Sequence, residues 1–155
     1  MPAKRLLRVD SLMRIVLDTN QLVAALVRPP ELATLLMAWE SARFTVVASQ
    51  ALVDEYARVL KYPDVTALIY PELLRAFHSH LLHDIEFVEP LETLRVCRDP
   101  DDDKVIAAAI YGSVDYLVTI DNDLLTDDIV AMLKELGIEV ISGDGLIRIL
   151  DRSHR

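Results

Sequence analysis

Cysteine is nearly absent from this 155-residue chain, where Cys97 stands alone. No internal disulfide can form, which fits a reducing cytoplasm. Cys97 also lacks the neighbours of a metal site and reads as a small packed side chain. Glycine is scarce, with four residues in all. That leaves no Gly-rich loop to cradle phosphates, and so no dinucleotide or ATP site of the usual kind. No apolar run approaches the roughly 18 residues that a membrane helix needs, so no membrane is expected. The stretch from Met1 to Asp10 carries Lys4, Arg5 and Arg8 and lacks the continuous apolar core of a secretory signal. Positive charge is also in deficit. The formal net charge is −9, which excludes a protein held on nucleic acid by its average field. It does not exclude a nucleic-acid enzyme, because carboxylates that hold divalent cations count as negative in a sum that omits the cations.

What is present is a globular composition, 52% hydrophobic and 26% charged. Branched apolar runs alternate with helical patterns. Ile15-Val16-Leu17, Phe44 to Ala48, Phe87-Val88-Glu89-Pro90, Tyr116 to Ile120 and Glu139 to Ser142 read as strands. The third should lie near an edge, since proline donates nothing to a ladder. Helices are expected from Leu22 to Val27, Glu31 to Ser41, Ser49 to Leu60, Pro71 to about Leu82, Asp99 to Tyr111, Asp127 to Leu136 and Gly145 to Leu150. Gly112 and Gly137 act as stops and Ser49 as an N-cap. Strands alternating with helices predict a three-layer α/β/α fold around a central parallel sheet of about five strands. One domain is expected over residues 13–150, with an extension or misplaced start over 1–12 and a tail over 151–155.

Two of these strands end in carboxylates, Asp18 and Asp121. Ligands in such sheets sit outside the carboxyl ends of the strands. On the helix after Ser49, the apolar arc is Leu52, Val53, Tyr56, Val59 and Leu60. Glu55 lies at the edge of that arc and Asp54 on the far side. Glu55 is therefore either a boundary residue or an acid leaning over the sheet end. In Asp99-Pro100-Asp101-Asp102-Asp103, N-capping and the helix dipole explain the composition without function. Spacings of three, four and seven put Asp103 on the face of Ile106, Ala107 and Ile110. Asp103 is accordingly expected to point at the core edge, and Asp101 and Asp102 mostly outward. Inward carboxylates are costly unless partnered. Several together are tolerable around a divalent ion, and oxygen-only ligands favour Mg²⁺ or Mn²⁺ over zinc. Metal at the end of a parallel sheet suggests phosphoryl chemistry.

Other constellations carry less. No pair among His78, His80 and His83 has the i, i+4 spacing of a two-histidine ligand set. Ser49 has no histidine motif near it. The stripe Leu32, Leu35, Leu36 and Trp39 reads as core or a subunit contact. A phosphotransfer enzyme with Asp18 as nucleophile would want a second aspartate where Asn20 stands. A receiver domain would want a lysine where Thr119-Ile120-Asp121 offers none.

Four segments together resemble the PIN domain, and in particular the toxin components of bacterial toxin–antitoxin systems. They are Ile15 to Asn20; Ser49 to Glu55 with Val59-Leu60; Arg98 to Lys104 leading into Ile106 to Ala109; and Asp115 to Leu125. The resemblance implies an endoribonuclease that uses Mg²⁺ or Mn²⁺ to activate a water against the phosphodiester. Asp18, Glu55 and Asp103 match the three core acids and Asp121 the fourth, with Asp123 as an alternative. Thr19, Asn20 and Thr119 match positions that orient the acids or a metal-bound water. A homodimer and a partner antitoxin are also implied. Where relatives often carry a basic residue, this chain has Ile120, so Arg28, Arg58, Lys61 and Lys104 are the candidates for phosphate contacts with an RNA substrate. The alternative is a catalytically silent PIN-fold module that binds RNA or protein.

Overall fold

The computed structural model describes residues 12–153. The expected extension over residues 1–12 lies outside the described residues save for Leu12, as do the last two residues of the tail and the Leu32 side chain. Strand β1 (Met13–Leu17) leads into α1 (Thr19–Val27) and α2 (Pro29–Glu40). Then come β2 (Phe44–Ala48), α3 (Gln50–Val59), a single turn α4 (Pro63–Thr66), α5 (Pro71–His83) and β3 (Ile85–Phe87). A stretch without regular structure, residues 88–99, crosses to a 3₁₀ turn (Pro100–Asp102) and α6 (Asp103–Tyr111). The chain closes with β4 (Tyr116–Val118), α7 (Asp127–Glu135), β5 (Glu139–Ile141) and α8 (Gly143–Arg152).

The five strands form one parallel sheet in the order β3-β2-β1-β4-β5, flanked by helices in a three-layer α/β/α fold. From β1 the chain first builds outward through β2 and β3, then returns to the other side of β1 for β4 and β5. The direction of winding reverses between β1 and β4, and a crevice opens at their carboxyl ends. The register pairs Leu17 with Val118, so the next residues, Asp18 and Thr119, emerge side by side.

Local chemistry holds that mouth in place. Ile15, Val16, Leu117 and Val118 are fully buried, as a sheet covered on both faces requires. The buried Tyr56 of α3 donates its hydroxyl to the carbonyl of Leu17, tying α3 to the last residue of β1. The buried Ala108 and Ala109 let α6 approach β1 and β2 closely. Gly137 takes φ 79° just after α7, the left-handed stop that glycine adopts without a Cβ penalty. Leu35, Leu36 and Trp39 pack into the core.

The third strand falls two residues earlier than the pattern suggests. It starts as soon as α5 ends, and its ladder continues only to Val88, whose N–H donates to Ala48 at 3.0 Å. It is an edge strand, as expected, but Pro90 lies beyond it. The helix α2 begins at Pro29 rather than Glu31, because proline suits a first helical turn whose N–H groups have no partners within the helix.

Candidate metal centre

The site is built from the mouth outward. Asp18 stands at the N-cap of α1 with extended backbone, yet its side chain makes no capping bond. Its Oδ2 accepts instead from the Thr119 hydroxyl across the mouth, at 2.8 Å. Thr119, buried, also accepts the Asp121 N–H at 2.9 Å. One hydroxyl thus fixes the acid after β1 and the backbone of the acid after β4. Asp121 Oδ1 in turn accepts the Asp123 N–H at 2.9 Å, folding the turn so that both carboxylates lie together.

Asp102 joins them from the 3₁₀ turn. Ligand oxygens of Asp102, Asp121 and Asp123 all lie within 4.8 Å of one another. Oδ2 of Asp102 is buried without a hydrogen-bond partner, the only such side-chain atom among the described residues. Burial, and then the negative field of Asp121, Asp18, Asp99 and Asp123, pushes the Asp102 carboxyl up to about 7. Asp18 is pushed up to about 6, chiefly by burial and further by Asp121 and Glu55, against the Thr119 hydrogen bond that favours its charged form. An orphaned buried oxygen among mutually repelling oxygen ligands is what a hard divalent cation satisfies. The residues present fit such an ion.

Glu55 leans over the sheet end, as the edge of its apolar arc allowed, and both its oxygens are engaged. Thr19 donates its hydroxyl to Oε2. Lys104 reaches Oε1 at 2.9 Å and Arg58 approaches it at 3.7 Å. Two of the four cations expected on phosphates therefore rest on Glu55. Arg28 and Lys61 are exposed at the ends of α1 and α3. Arg98, which the sequence does not single out, pairs with Asp123 at 3.0 Å. Asn20 is exposed on the first turn of α1; Asp54 is exposed, as expected, and accepts a hydrogen bond from the Gln50 side chain.

Asp103 is buried, as its helical spacing predicts, and one of its oxygens is taken by backbone. Its Oδ1 accepts the N–H groups of Val96 and Cys97 at 2.9 and 2.8 Å. Burial works to raise its pKa, but those amides and the Cys97 thiol outweigh it and hold the carboxyl below the usual range. Asp102, expected to point mostly outward, instead clusters with Asp121 and Asp123. Helical spacing reports how deeply a residue is buried, not which neighbour it meets. The stretch over residues 88–99 has no regular ladder and needs acceptors for its amides, and Asp103 supplies one for Val96 and Cys97. That demand is a signal the sequence does carry.

Cys97 is half-buried, and burial, then the hydrogen bond to Asp103, pushes its thiol up to about 12. It is an inert packed side chain, not a reactive one. His80 also stays out of any metal site. It stacks on Trp39 and sits 2.7 Å from Asp84.

A parallel sheet whose winding reverses at an acid-lined crevice defines a class of α/β proteins that bind cations or phosphates there. The particular family is shown by comparison. The PIN domain family model matches residues 14–123, well over half of the chain, and the chain belongs to that family. PIN domains are generally nucleases and commonly use divalent metals. A search of curated proteins finds no match. No helix among the described residues is long and apolar enough to cross a membrane.

Proposed function

We propose that this protein is an Mg²⁺- or Mn²⁺-dependent endoribonuclease, the toxin of a toxin–antitoxin pair. It would act in the cytoplasm as a homodimer, held in check by a cognate antitoxin. The observation that carries the nuclease reading is the orphaned Oδ2 of Asp102 beside Asp121 and Asp123. The net fold gains nothing from leaving that atom unpaired, whereas cation binding does. A divalent ion held there would lower the pKa of a water and offset charge on the phosphate oxygens.

The protein's own residues do the rest. Asp102, Asp121 and Asp123 are the candidates to hold the ion. Asp18, buried and aligned by Thr119, is the acid placed to orient the attacking water or accept its proton. Thr19 and Lys104 fix Glu55. RNA rather than DNA, the toxin role and the antitoxin rest on the four-segment resemblance.

The test incubates purified protein with structured and single-stranded RNA plus Mg²⁺ or Mn²⁺, beside Asp18→Asn and Asp121→Asn. Cleavage should fall at least about 100-fold in both variants and vanish with chelator. Equal cleavage by all three proteins sinks the reading.

A further inference from the structure

Five carboxylates crowd this mouth, from Asp18, Glu55, Asp102, Asp121 and Asp123. Three cations reach them, Lys104 and Arg58 at Glu55 and Arg98 at Asp123. The partners are unevenly shared. Glu55 has both oxygens taken, by Lys104 and Thr19, while Asp102 Oδ2 has none.

We infer that Lys104 is a resident cation occupying the place of a second divalent ion. The centre then takes one such ion, at Asp102, Asp121 and Asp123, and Glu55 lies outside its ligand shell. This rests on the metal-dependent reading above and goes beyond it in saying how many ions bind and where. An ammonium 2.9 Å from Glu55 Oε1 already supplies the positive charge that a second ion would bring there. It would also repel an ion competing for the same oxygen. The Lys104 side chain is about a quarter exposed and lines a cavity of about 1080 Å³ with Ser49, Gln50 and Arg95. Its charge therefore also faces that cavity.

Mn²⁺ binding to the full-length protein decides it, followed by calorimetry and by the electron-spin signal of free Mn²⁺. Wild type should bind one Mn²⁺ per chain. Glu55→Gln should keep Mn²⁺ affinity within about threefold of wild type, since a ligand is not lost. Lys104→Met should admit a second ion, while Lys104→Arg, which keeps the cation, should not. Circular dichroism confirms that each variant is folded. Two ions on wild type overturn the inference. So does a loss of tenfold or more with Glu55→Gln, or a single ion on a folded Lys104→Met. A wild type that binds no Mn²⁺ at all overturns the metal-dependent reading itself.

Discussion

Two places in the fold bury polar side chains and treat them in opposite ways. Beside Trp39, His80 lies in a stacked contact with ring centroids 4.7 Å apart. Its Nδ1 is 2.7 Å from Asp84, one helical turn along α5, and its Nε2 is 3.5 Å from Glu40. That cluster carries its own polar partners. At the sheet mouth, acids arrive from the end of β1, from the 3₁₀ turn and from the segment after β4, and two of them hold protons well above the ordinary carboxylate range. The first arrangement is complete as folded. The second leaves a buried carboxylate oxygen without a hydrogen-bond partner. A protein selected for stability alone would not converge unpaired carboxylates from distant segments.

The sharpest way to break that comparison is to remove one acid from the mouth. Asp121→Asn should weaken Mn²⁺ binding on the order of 100-fold while leaving the metal-free melting temperature unchanged or higher. Calorimetry and a thermal melt read the two effects. His80→Ala should do the reverse. It should cost about 2 kcal/mol of stability through lost packing on Trp39, and leave Mn²⁺ affinity as it was. If Asp121→Asn lowered stability and His80→Ala lowered metal affinity, the two regions would not differ in kind.

A smaller effect isolates the alignment. Thr119→Val keeps the shape and removes the hydroxyl that bridges Asp18 and the Asp121 amide. Mn²⁺ affinity should fall about tenfold, the scale of lost outer-shell hydrogen bonds at metal sites. An unchanged affinity would mean that the bridge is ornamental.

Acidity then sharpens the contrast without mutation. Asp18 and Asp102 have raised pKa values in the folded protein, so the native state binds more protons than the unfolded chain between about pH 4 and about pH 7. Their contribution to stability is present below the unfolded pKa and is lost as pH rises through 6 to 7. The metal-free melting temperature, measured from pH 5 to pH 8, should fall by roughly 3 °C on this account, the Asp102 share being reduced by solvent screening. Saturating Mn²⁺ should flatten or invert the slope, because the ion favours the deprotonated acids. A metal-free melt that rises through this window contradicts the shifts.

Much of this was legible in the chain. Alternating apolar runs and helical patterns predict the five parallel strands, and the carboxylate after Leu17 and Thr119 before Asp121 point to the mouth. Both depend on local period, which a sequence displays directly. The partners do not. Whether Lys104 meets a phosphate or Glu55 depends on how α6 and α3 lie across the sheet, a long-range fact. The bounds of β3 were displaced because its edge position is set by pairing with β2, which no local pattern near Phe87 records.

The smallest expected effect carries the finest distinction, because it compares neighbours in sequence. Asp103 gives its oxygen to two backbone amides and is held charged by them, whereas Asp102 has a buried oxygen with no partner. Asp103→Asn keeps an oxygen acceptor for Val96 and Cys97 and loses only the charge. It should cost less than about 1 kcal/mol near neutral pH and leave Mn²⁺ affinity within a few-fold. It should also abolish a share of acid sensitivity. A depressed pKa contributes stability above the unfolded value of 3.8, lost as pH falls through the folded one, and asparagine has no such dependence. Asp102→Asn should instead cut Mn²⁺ affinity strongly and spare stability. If the two variants exchanged these outcomes, Asp103 would be the acid at the mouth, as its helical spacing first suggests, and the amides of residues 96 and 97 would need another acceptor.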